Sequence, residues 1–587
     1  MVQLPDFMGS ARSTSCATTW NASIMTYEEW YETTLPFQQW CIADLQYALP
    51  TVYFSCGMIA LFILSNVLGT MRARRAATKS SSKIVSFLRF LASRQVNVQI
   101  LNWYSPSLGV TIVGALMVVF IFALMFSNHK FYWENFNMGH SPPLGTRGGW
   151  VSLAIMPFML TFATKANPIA LLTGTSHEKL QIWHRWSAWL MYFAALVHTL
   201  PFIVYNIRWG QMEARYAASA EYWTGIACLV PMTWLLFMSV GPIRRWCYEL
   251  FKKLHIIGAI LFIIFFMFHC ANTLTSWQYF YATFALYGFS FLTRLARLLP
   301  CFDVVIDVLP SNTVKITIPV HPKCTWKPGQ HFFVRFIGPS LGLHSFSSHP
   351  FTVASVPSVG GADNTVEMYV RGYRGITGRL GAVAAILKGR GVTAVLDGPY
   401  GGLHTSVQGF NRVLLLAGGS GATFTLPIMT DICRAISAGS TTCSKVDFII
   451  AAPSYDSIEW CEDYCTAART MLESNTGGKG SALAVSVYIT RQDASSSSAT
   501  VDEEKGEADG TQKFRHGAIH REGRPDLKQL IRSACDEQPN GSVAVICCGP
   551  DEFSYAVRNA VASCELDIAL GRLGCRDLFL HTEAYSW

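Results

Sequence analysis

Four histidines interrupt the apolar first half of this 587-residue chain, in two pairs of identical spacing: His184 with His198, and His255 with His269. Fourteen positions on an α-helix is close to four whole turns, so each pair projects from one face with roughly 21 Å between its members along the axis. A polar ring in hydrocarbon needs a partner. A lone histidine there is most simply a hydrogen-bonded packing residue. A repeated pair on each of two helices is instead the pattern that holds two stacked haems, with one imidazole from either helix on each iron. Such ligation closes both axial positions, so the iron passes electrons and does not bind a substrate. The chemistry implied is a one-electron wire. No Cys-x-x-Cys-His sequence occurs, so the haem expected is a removable b-type group.

The elements that must position these rings are legible in the composition, 51% hydrophobic against 14% charged, which places part of a multi-domain chain in lipid. Apolar stretches at 51–70, 108–127, 149–164, 182–204, 223–241, 254–270 and 277–293 each approach the roughly 20 residues of a spanning helix. They predict an all-α bundle of seven helices. The third is short, with Pro157 inside it and Lys165 closing it. Arg72, Arg74, Arg75, Lys79, Lys83, Arg89 and Arg94 follow the first span, Lys165 and Lys179 the third, and Arg244, Arg245, Lys252 and Lys253 the fifth. By the positive-inside rule the N-terminus is extracellular and the C-terminal half cytosolic. The fourth and sixth spans then run the same way, so His184 faces His255 near the cytosol and His198 faces His269 near the exterior. His177 precedes its apolar run, and His129 and His140 fall in an exterior loop without a partner at matching spacing. These three are expected to be ordinary solvated residues, His129 and His140 keeping the alternative of meeting a metal outside. Arg185, beside the inner ligand, either pairs with a haem propionate or snorkels to the interface.

Residues 1–50 show no basic stretch followed by an apolar run, so no cleavable signal is expected and the first span directs its own insertion. Asn21-Ala22-Ser23 is a glycosylation sequon on the exterior side, while Asn540-Gly541-Ser542 has the same pattern on the cytosolic side, where it should be unused. Cys16 and Cys41 lie outside the membrane and either pair or remain thiols. The net charge of +8 is explained by inner loops facing anionic lipid, and nucleic acid is not needed to account for it.

After Arg294 and Arg297 the composition is that of a soluble protein. Short alternating runs, Val304 to Val308, Thr313 to Ile318, His331 to Phe336 and Thr365 to Val370, separated by Pro and Gly turns, predict a small antiparallel barrel. From Val413 the pattern becomes strand, turn and helix. The buried run Val413 to Ala417 leads into Gly418-Gly419-Ser420-Gly421-Ala422-Thr423 and then a helix, an arrangement in which small residues let backbone N–H groups approach a pyrophosphate. Val446 to Ala451, Ala484 to Thr490 and Val543 to Cys547 suit a parallel sheet. Residues 493–512, Ser-rich and then acidic, have little to bury and read as a disordered insertion.

Over about 108–587 the chain resembles the ferric reductase and NADPH oxidase superfamily, specifically the fungal ferric/cupric metalloreductases. His349-Pro350-Phe351-Thr352-Val353-Ala354-Ser355 is similar to the family's flavin motif, whose histidine approaches the FAD phosphates and whose threonine approaches the isoalloxazine. The stretch from Arg371 through Gly375, Thr377 and Gly378 to Leu380 is similar to the FAD pyrophosphate segment, and Asp397-Gly398-Pro399-Tyr400-Gly401 to the turn closing the flavin domain. Gly418 to Thr423 resembles the nicotinamide dinucleotide loop, and Cys548-Gly549-Pro550 the turn near the nicotinamide. Gly523-Arg524-Pro525 resembles the stretch beside the ribose 2′-phosphate, with Arg524 and Arg491 supplying positive charge. The C-terminal run His581 to Trp587 resembles the aromatic-ended tail that covers the flavin, so the resemblance implies roles near the reacting rings for Thr352, Cys548 and Trp587.

The implied architecture is an extracellular segment (1–50), a first span and basic cytosolic loop (51–107), a six-helix haem-binding domain (108–297), an antiparallel FAD barrel (298–408) and a Rossmann-like α/β NADPH domain (409–587). The implied cofactors are FAD, NADPH and two haem b. The implied activity passes electrons from NADPH through FAD and the inner and outer haems to extracellular Fe(III) or Cu(II) chelates, at the plasma membrane, beside lipids and iron or copper uptake proteins. Equal spacing in both histidine pairs favours a metalloreductase over a superoxide-generating oxidase, and the dinucleotide loop counts against a non-catalytic haem transporter or receptor. The short N-terminal region and the Ala422 that follows the glycine loop depart from the family pattern.

Overall fold

The structure, a computed structural model, describes residues 26, 39–75, 83–101, 103–127, 130–133, 141–358, 364–372, 375–387, 392–476, 482–491 and 518–583. The sequon at Asn21, Cys16, His129, His140, the insertion 493–512 and Trp587 lie outside them. The chain divides into two compact units, one of residues 1–66 and 113–296, the other of residues 67–112 and 297–587.

The helices that build the first unit are α1 (Leu49–Arg75), α3 (Leu108–Phe126), α4 (Pro143–Phe162), α5 (His177–Arg208), α6 (Ala220–Met238), α7 (Tyr248–Cys270) and α8 (Ser276–Arg297). Among the described residues, four stretches are long and apolar enough to cross a membrane: Asp44–Met71, Leu108–Phe126, His177–Arg208 and Tyr248–Cys270. α4 is built differently. It carries Pro157 and Arg147, yet most of its residues are buried, and Trp150, Leu153 and Met156 share one core with Met191, Phe262, Phe266 and Phe280. Its glycines permit this. A Cβ on Gly148 would stand 2.7 Å from the Ala194 carbonyl and 2.7 Å from the His198 amide, so α4 lies directly on the α5 backbone. α4 and α5 form one close pair, and α6 and α7 another.

In the second unit, seven strands form two antiparallel sheets. They are β1 (Leu298–Asp303), β2 (Val305–Leu309), β3 (Thr313–Val320), β4 (Gln330–Ile337), β5 (His349–Thr352), β6 (Asn364–Arg371) and β7 (Thr393–Gly401). The sheet orders are β1-β7-β4-β5 and β2-β3-β6, and alternate residues of both, among them Ile316, Phe332, Val334, Met368 and Leu396, meet in one core capped by α9 (Ile376–Leu387). The remaining strands are β8 (Arg412–Gly418), β9 (Lys445–Ala452), β10 (Leu483–Ile489), β11 (Ile519–Glu522), β12 (Ser542–Cys548) and β13 (Asp577–Glu583). They form a parallel sheet in the order β11-β10-β9-β8-β12-β13. Its strands are apolar on both faces because both are covered. Val413 and Leu415 pack toward α10 (Ala422–Ser437) and α11 (Cys461–Thr476), and Leu414 and Leu416 toward α12 (Leu527–Asp536) and α13 (Asp551–Ala569). The tail motif beginning at His581 is therefore, up to Glu583, an edge strand and not a free end.

The basic segment after the first span is also part of this unit. Helix α2 (Lys83–Ser93) lies along α13. The Arg89 guanidinium donates to the Asp577 carboxylate and to the Leu578 carbonyl at 3.1 Å, and lies 3.5 Å from the buried Glu565 carboxylate. Gln95 and Asn559 bond reciprocally, the Gln95 amide donating at 3.1 Å and the Asn559 side chain returning to the Gln95 carbonyl at 3.2 Å. Tyr104 packs on Tyr555 with ring centroids 5.1 Å apart. Arg89, counted among the charges that orient the bundle, is thus held inside the nucleotide-domain fold. Burial pulls its guanidinium down, and Asp577 and Glu565 more than restore it, leaving it above its ordinary value.

Burial pushes the Glu565 carboxyl up to about 7, against the opposing pull of Arg89. A carboxyl whose folded value lies above its unfolded one contributes stability that is complete below the unfolded value near 4.5 and is lost as pH rises through about 7. Thermal unfolding should therefore show a Tm that falls between about pH 4.5 and about pH 7. Glu565→Gln should remove about 2–4 °C of that fall, the shift expected for about 1 kcal/mol in a domain of this size. An unchanged pH slope in the variant would assign the dependence to other groups.

Candidate redox-cofactor sites

α5 and α7 bring the four histidines into two facing pairs. The ring centroids of His184 and His255 are 6.5 Å apart, and those of His198 and His269 are 5.8 Å apart. Two imidazoles on one metal, each nitrogen about 2 Å away, have centroids about 6 Å apart, so both gaps are the right size for a shared iron. Every ring is also held at its other nitrogen. The Nδ1 of His184 lies 2.9 Å from the Met159 carbonyl, that of His198 2.8 Å from the Gly145 carbonyl and that of His269 2.8 Å from the Glu221 carbonyl. The His255 Nδ1 lies 3.3 Å from the Ser239 hydroxyl. A carbonyl oxygen only accepts, so Nδ1 carries the proton and Nε2 keeps the lone pair that a metal needs.

Neighbouring helices supply these partners. α4 runs antiparallel to α5 in register, with Gly145 opposite His198, the Ser152 hydroxyl donating to Met191 at 3.1 Å, and Met159 opposite His184, at steps of seven residues. Space for the rings comes from missing side chains. A Cβ on Gly149 would lie 2.7 Å from the His198 Nδ1, and one on Gly225 would lie 3.1 Å from the His269 Cε1. Between His198 and His269 opens a 430 Å³ cavity lined by residues such as Leu153, Met191, Phe262 and Phe266. The volume falls in the range of about 300–1,000 Å³ usual for cofactor sites. These residues fit a bis-histidine haem. His177, expected to be solvated, is instead buried with Nδ1 3.1 Å from the Glu178 carboxylate, and Arg185 is exposed.

In the parallel sheet the chain order reverses between β8 and β12, and the loops leaving these two strands touch. A Cβ on Gly421 would stand 2.1 Å from the Cys548 carbonyl, and one on Gly418 would stand 2.7 Å from Pro550 and 3.1 Å from Gly549. The two loops form one crevice at the C-terminal edge of the sheet, the usual place for a dinucleotide in an open α/β fold. Gly419 has φ +55°, which turns the loop into α10. Cys548 is buried, and burial holds its thiol well above the ordinary value, so it is a neutral group. Arg491 follows β10 and is exposed, while Arg524 follows β11 and pairs with Glu552 at 2.8 Å. The Gly523 amide donates to the Ile489 carbonyl at 2.8 Å, which ties the two strand ends together.

On the antiparallel sheets, His349, Pro350 and Thr352 are half-buried on β5, with Thr352 opposite His331 of β4. Phe351 turns into the core against Phe336, at 5.9 Å. The Ser355 hydroxyl donates to Thr365 at 2.7 Å and accepts from the Glu367 amide at 3.1 Å, so it fastens β6. Arg371 ends β6, and Gly375, with φ +74°, opens α9, whose first turn carries Thr377 and Gly378.

Three family profiles cover these regions: "Ferric reductase like transmembrane component" over residues 148–266, "FAD-binding domain" over 301–404 and "Ferric reductase NAD binding domain" over 410–562. Along most of its length the chain is similar to ferric reductases. A probable cell surface ferric reductase of Aspergillus oryzae is 30% identical over 67% of this chain and 54% of its own length. Ferric/cupric reductase transmembrane component 7 of Saccharomyces cerevisiae is 25% identical over 86% of this chain and 85% of its own, and ferric reductase transmembrane component 4 of the same yeast is 28% identical over 71% and 60%. The chain thus spans about half the length of the Aspergillus relative. Along this chain a transmembrane ferric reductase domain is followed by FAD- and NAD-binding domains.

Several site-forming residues went unmarked in the sequence reading. Gly145, Gly148, Gly149 and Gly225, and the carbonyls of Met159 and Glu221, carry no motif. The signal for α4 was present in Gly145, Gly148 and Gly149, small residues one turn apart on a helix with few other reasons to contain them.

Gly149→Val should drive a methyl group into the His198 ring and lower the haem content of purified protein by about one per chain, with Gly225→Val doing the same through His269. Pyridine haemochromogen assay with flavin content as internal control reads this, and an unchanged ratio would mean that the rings tolerate displacement. For the nucleotide, Arg524→Ala should weaken NADPH by one to two decades more than NADH, since charge-assisted hydrogen bonds contribute about 1.5–3 kcal/mol. Glu552→Gln should act in the opposite sense by releasing that guanidinium. Equal losses for both nucleotides in the Arg524 variant would leave Arg491 as the better candidate.

Proposed function

We propose that this protein is an NADPH-dependent transmembrane metalloreductase that reduces Fe(III) or Cu(II) chelates at the cell surface, as the names of its relatives suggest for them. The observation that carries the reading is the pair of facing histidine couples on α5 and α7, with ring centroids 6.5 and 5.8 Å apart and each ring anchored at Nδ1. Bound NADPH, FAD and two haems would supply hydride donation, division of the pair into single electrons and relay across the bilayer. The chain's part is position. The contact between Gly421 and Cys548 shapes a backbone cradle for pyrophosphate, the start of α9 offers N–H groups to a second one, and the four imidazoles would hold two haems.

In this reading all seven long helices of the first unit span the membrane, the N-terminus is extracellular, and the two antiparallel sheets form the flavin barrel on the cytosolic side, with domain limits at 1–50, 51–107, 108–297, 298–408 and 409–587. The excess of Lys and Arg after the first, third and fifth spans supports the orientation. His184 and His255 hold the inner haem, and His198 and His269 the outer. The site residues of the flavin and nucleotide motifs, Trp587 among them, keep the roles that the resemblance implies.

The test is acceptor reduction by purified protein in bilayers. His198→Ala or His269→Ala should lose one haem per chain and bring NADPH-driven reduction of a ferric chelate on the far side to background, while NADPH still bleaches the flavin. Retention of two haems in either variant would overturn the pairing. Superoxide as the main product of the unaltered protein would make it an oxidase.

A further inference from the structure

One wall of the cavity between His198 and His269 comes from a part of the chain that no cofactor motif includes. Trp40 lines it. The cavity lies at the end of the bundle where α4 and α6 begin and α5 and α7 end, because Ser141, Met212 and Thr273, from the connections at that end, line it too. Trp40 belongs to residues 39–48, a short helical stretch ahead of the first long span.

This stretch is folded into the bundle. Cys41, Ala43, Asp44 and Ala48 are all buried, and Ala43 and Ala48 share the core of α4 and α5 while Trp40 packs against it. Cys41 is disulfide-bonded. The Asp44 carboxylate accepts from the Thr275 hydroxyl at 2.7 Å, and its other oxygen accepts from the Leu45 amide at 2.8 Å. Thr275 stands in the turn between α7 and α8, beside Thr273 and Ser276, which line the cavity, and six residues beyond His269. Taking a carboxylate out of water is costly unless it is hydrogen-bonded, so the Asp44–Thr275 bond sets where the stretch docks. A buried, hydrogen-bonded carboxylate and an apolar face together hold one indole against one cavity.

We propose that Trp40 closes the outer haem cavity and so selects the electron acceptor, an inference that rests on the metalloreductase reading above. One electron leaving this end of the bundle converts either an Fe(III) chelate to Fe(II) or dioxygen to superoxide. Dioxygen is small enough to enter an open cavity, and superoxide formed there is an anion that needs water around it. An indole across the cavity excludes that water from a lining made largely of Leu153, Met191, Ile226, Met232 and Phe262. A bulky chelate never enters, and takes its electron at the outer face of the ring. Closure therefore disfavours dioxygen and leaves the chelate unaffected.

The experiment compares full-length Trp40→Ala and Trp40→Phe with the parent, each loaded with haem in bilayers. Haem release to excess apomyoglobin should quicken about tenfold in Trp40→Ala, the loss expected for one aromatic contact on a cofactor, while the low-spin absorption spectrum stays unchanged. The superoxide share of NADPH-driven electrons should rise by a similar factor, and Trp40→Phe should restore both. Unchanged release and unchanged partition would reduce Trp40 to surface packing and overturn the proposal, as would loss of the low-spin spectrum, which would make Trp40 a support for the histidines. Should Trp40→Ala not fold, Asp44→Asn with Thr275→Val frees the stretch from its other anchor and must quicken release in the same direction. A parent that reduces no chelate, but whose haem release still responds to Trp40, would sink the metalloreductase reading and leave the closure standing.

Discussion

An imidazole in a membrane can bind a metal only if its proton sits on the correct nitrogen, and here the backbone of a neighbouring helix decides this. Met159, Gly145 and Glu221 offer carbonyls to the Nδ1 atoms of His184, His198 and His269. The rest of the bundle follows from that requirement. α4 must lie close enough for its carbonyls to reach α5, so it carries glycine where α5 presents its backbone, and it must keep a register in which Gly145 and Met159, fourteen residues apart, meet His198 and His184, also fourteen apart. Two helices of equal pitch running antiparallel hold such a match over their whole contact. α6 repeats the arrangement for α7 with Gly225 and Glu221 at one end and the Ser239 hydroxyl at the other.

The same device, backbone against backbone through glycine, recurs in the nucleotide-binding domain. The loops after β8 and β12 approach so closely that neither Gly418 nor Gly421 has room for a methyl group. A crevice built this way presents N–H groups and a helix end, with no side chain to fill it, which is what a pyrophosphate selects. Around it the charges are placed outside the sheet. Arg524 is paired with Glu552, and Cys548 is a buried neutral thiol.

The clasp of α2 on α13 gives the segment between the first two long helices a structural partner. Arg89, Gln95 and Tyr104 engage residues on or next to α13, and Arg89 also reaches Asp577 at the start of β13. A buried carboxylate such as Glu565 is costly on its own, and the cation that accompanies it comes from more than 450 positions away in the chain, as the separation of the Arg89–Asp577 pair by 488 positions illustrates.

Local periodicity made much of this legible. The long apolar runs mark the helices of the first unit, and the strands read at Thr313, His331, Val413, Val446, Ala484 and Val543 fall within observed strands, since helix and strand spacing are written into neighbouring residues. Strands β1, β5, β7, β11 and β13 were not read as strands, because Pro300, Pro350, Gly398, Pro399 and the short run at Ile519 break the alternation, and pairing partners far along the chain hold them in place. The sequence alone determined which residue types recur at which spacing, hence two histidine couples and a glycine turn after a buried strand. Only the tertiary structure decided which carbonyl meets each Nδ1, that the glycine turn lies against Cys548, that Arg89 belongs to the nucleotide domain, and that Trp40 lines the cavity between His198 and His269. These are contacts between segments distant in sequence, and no local pattern encodes the partner.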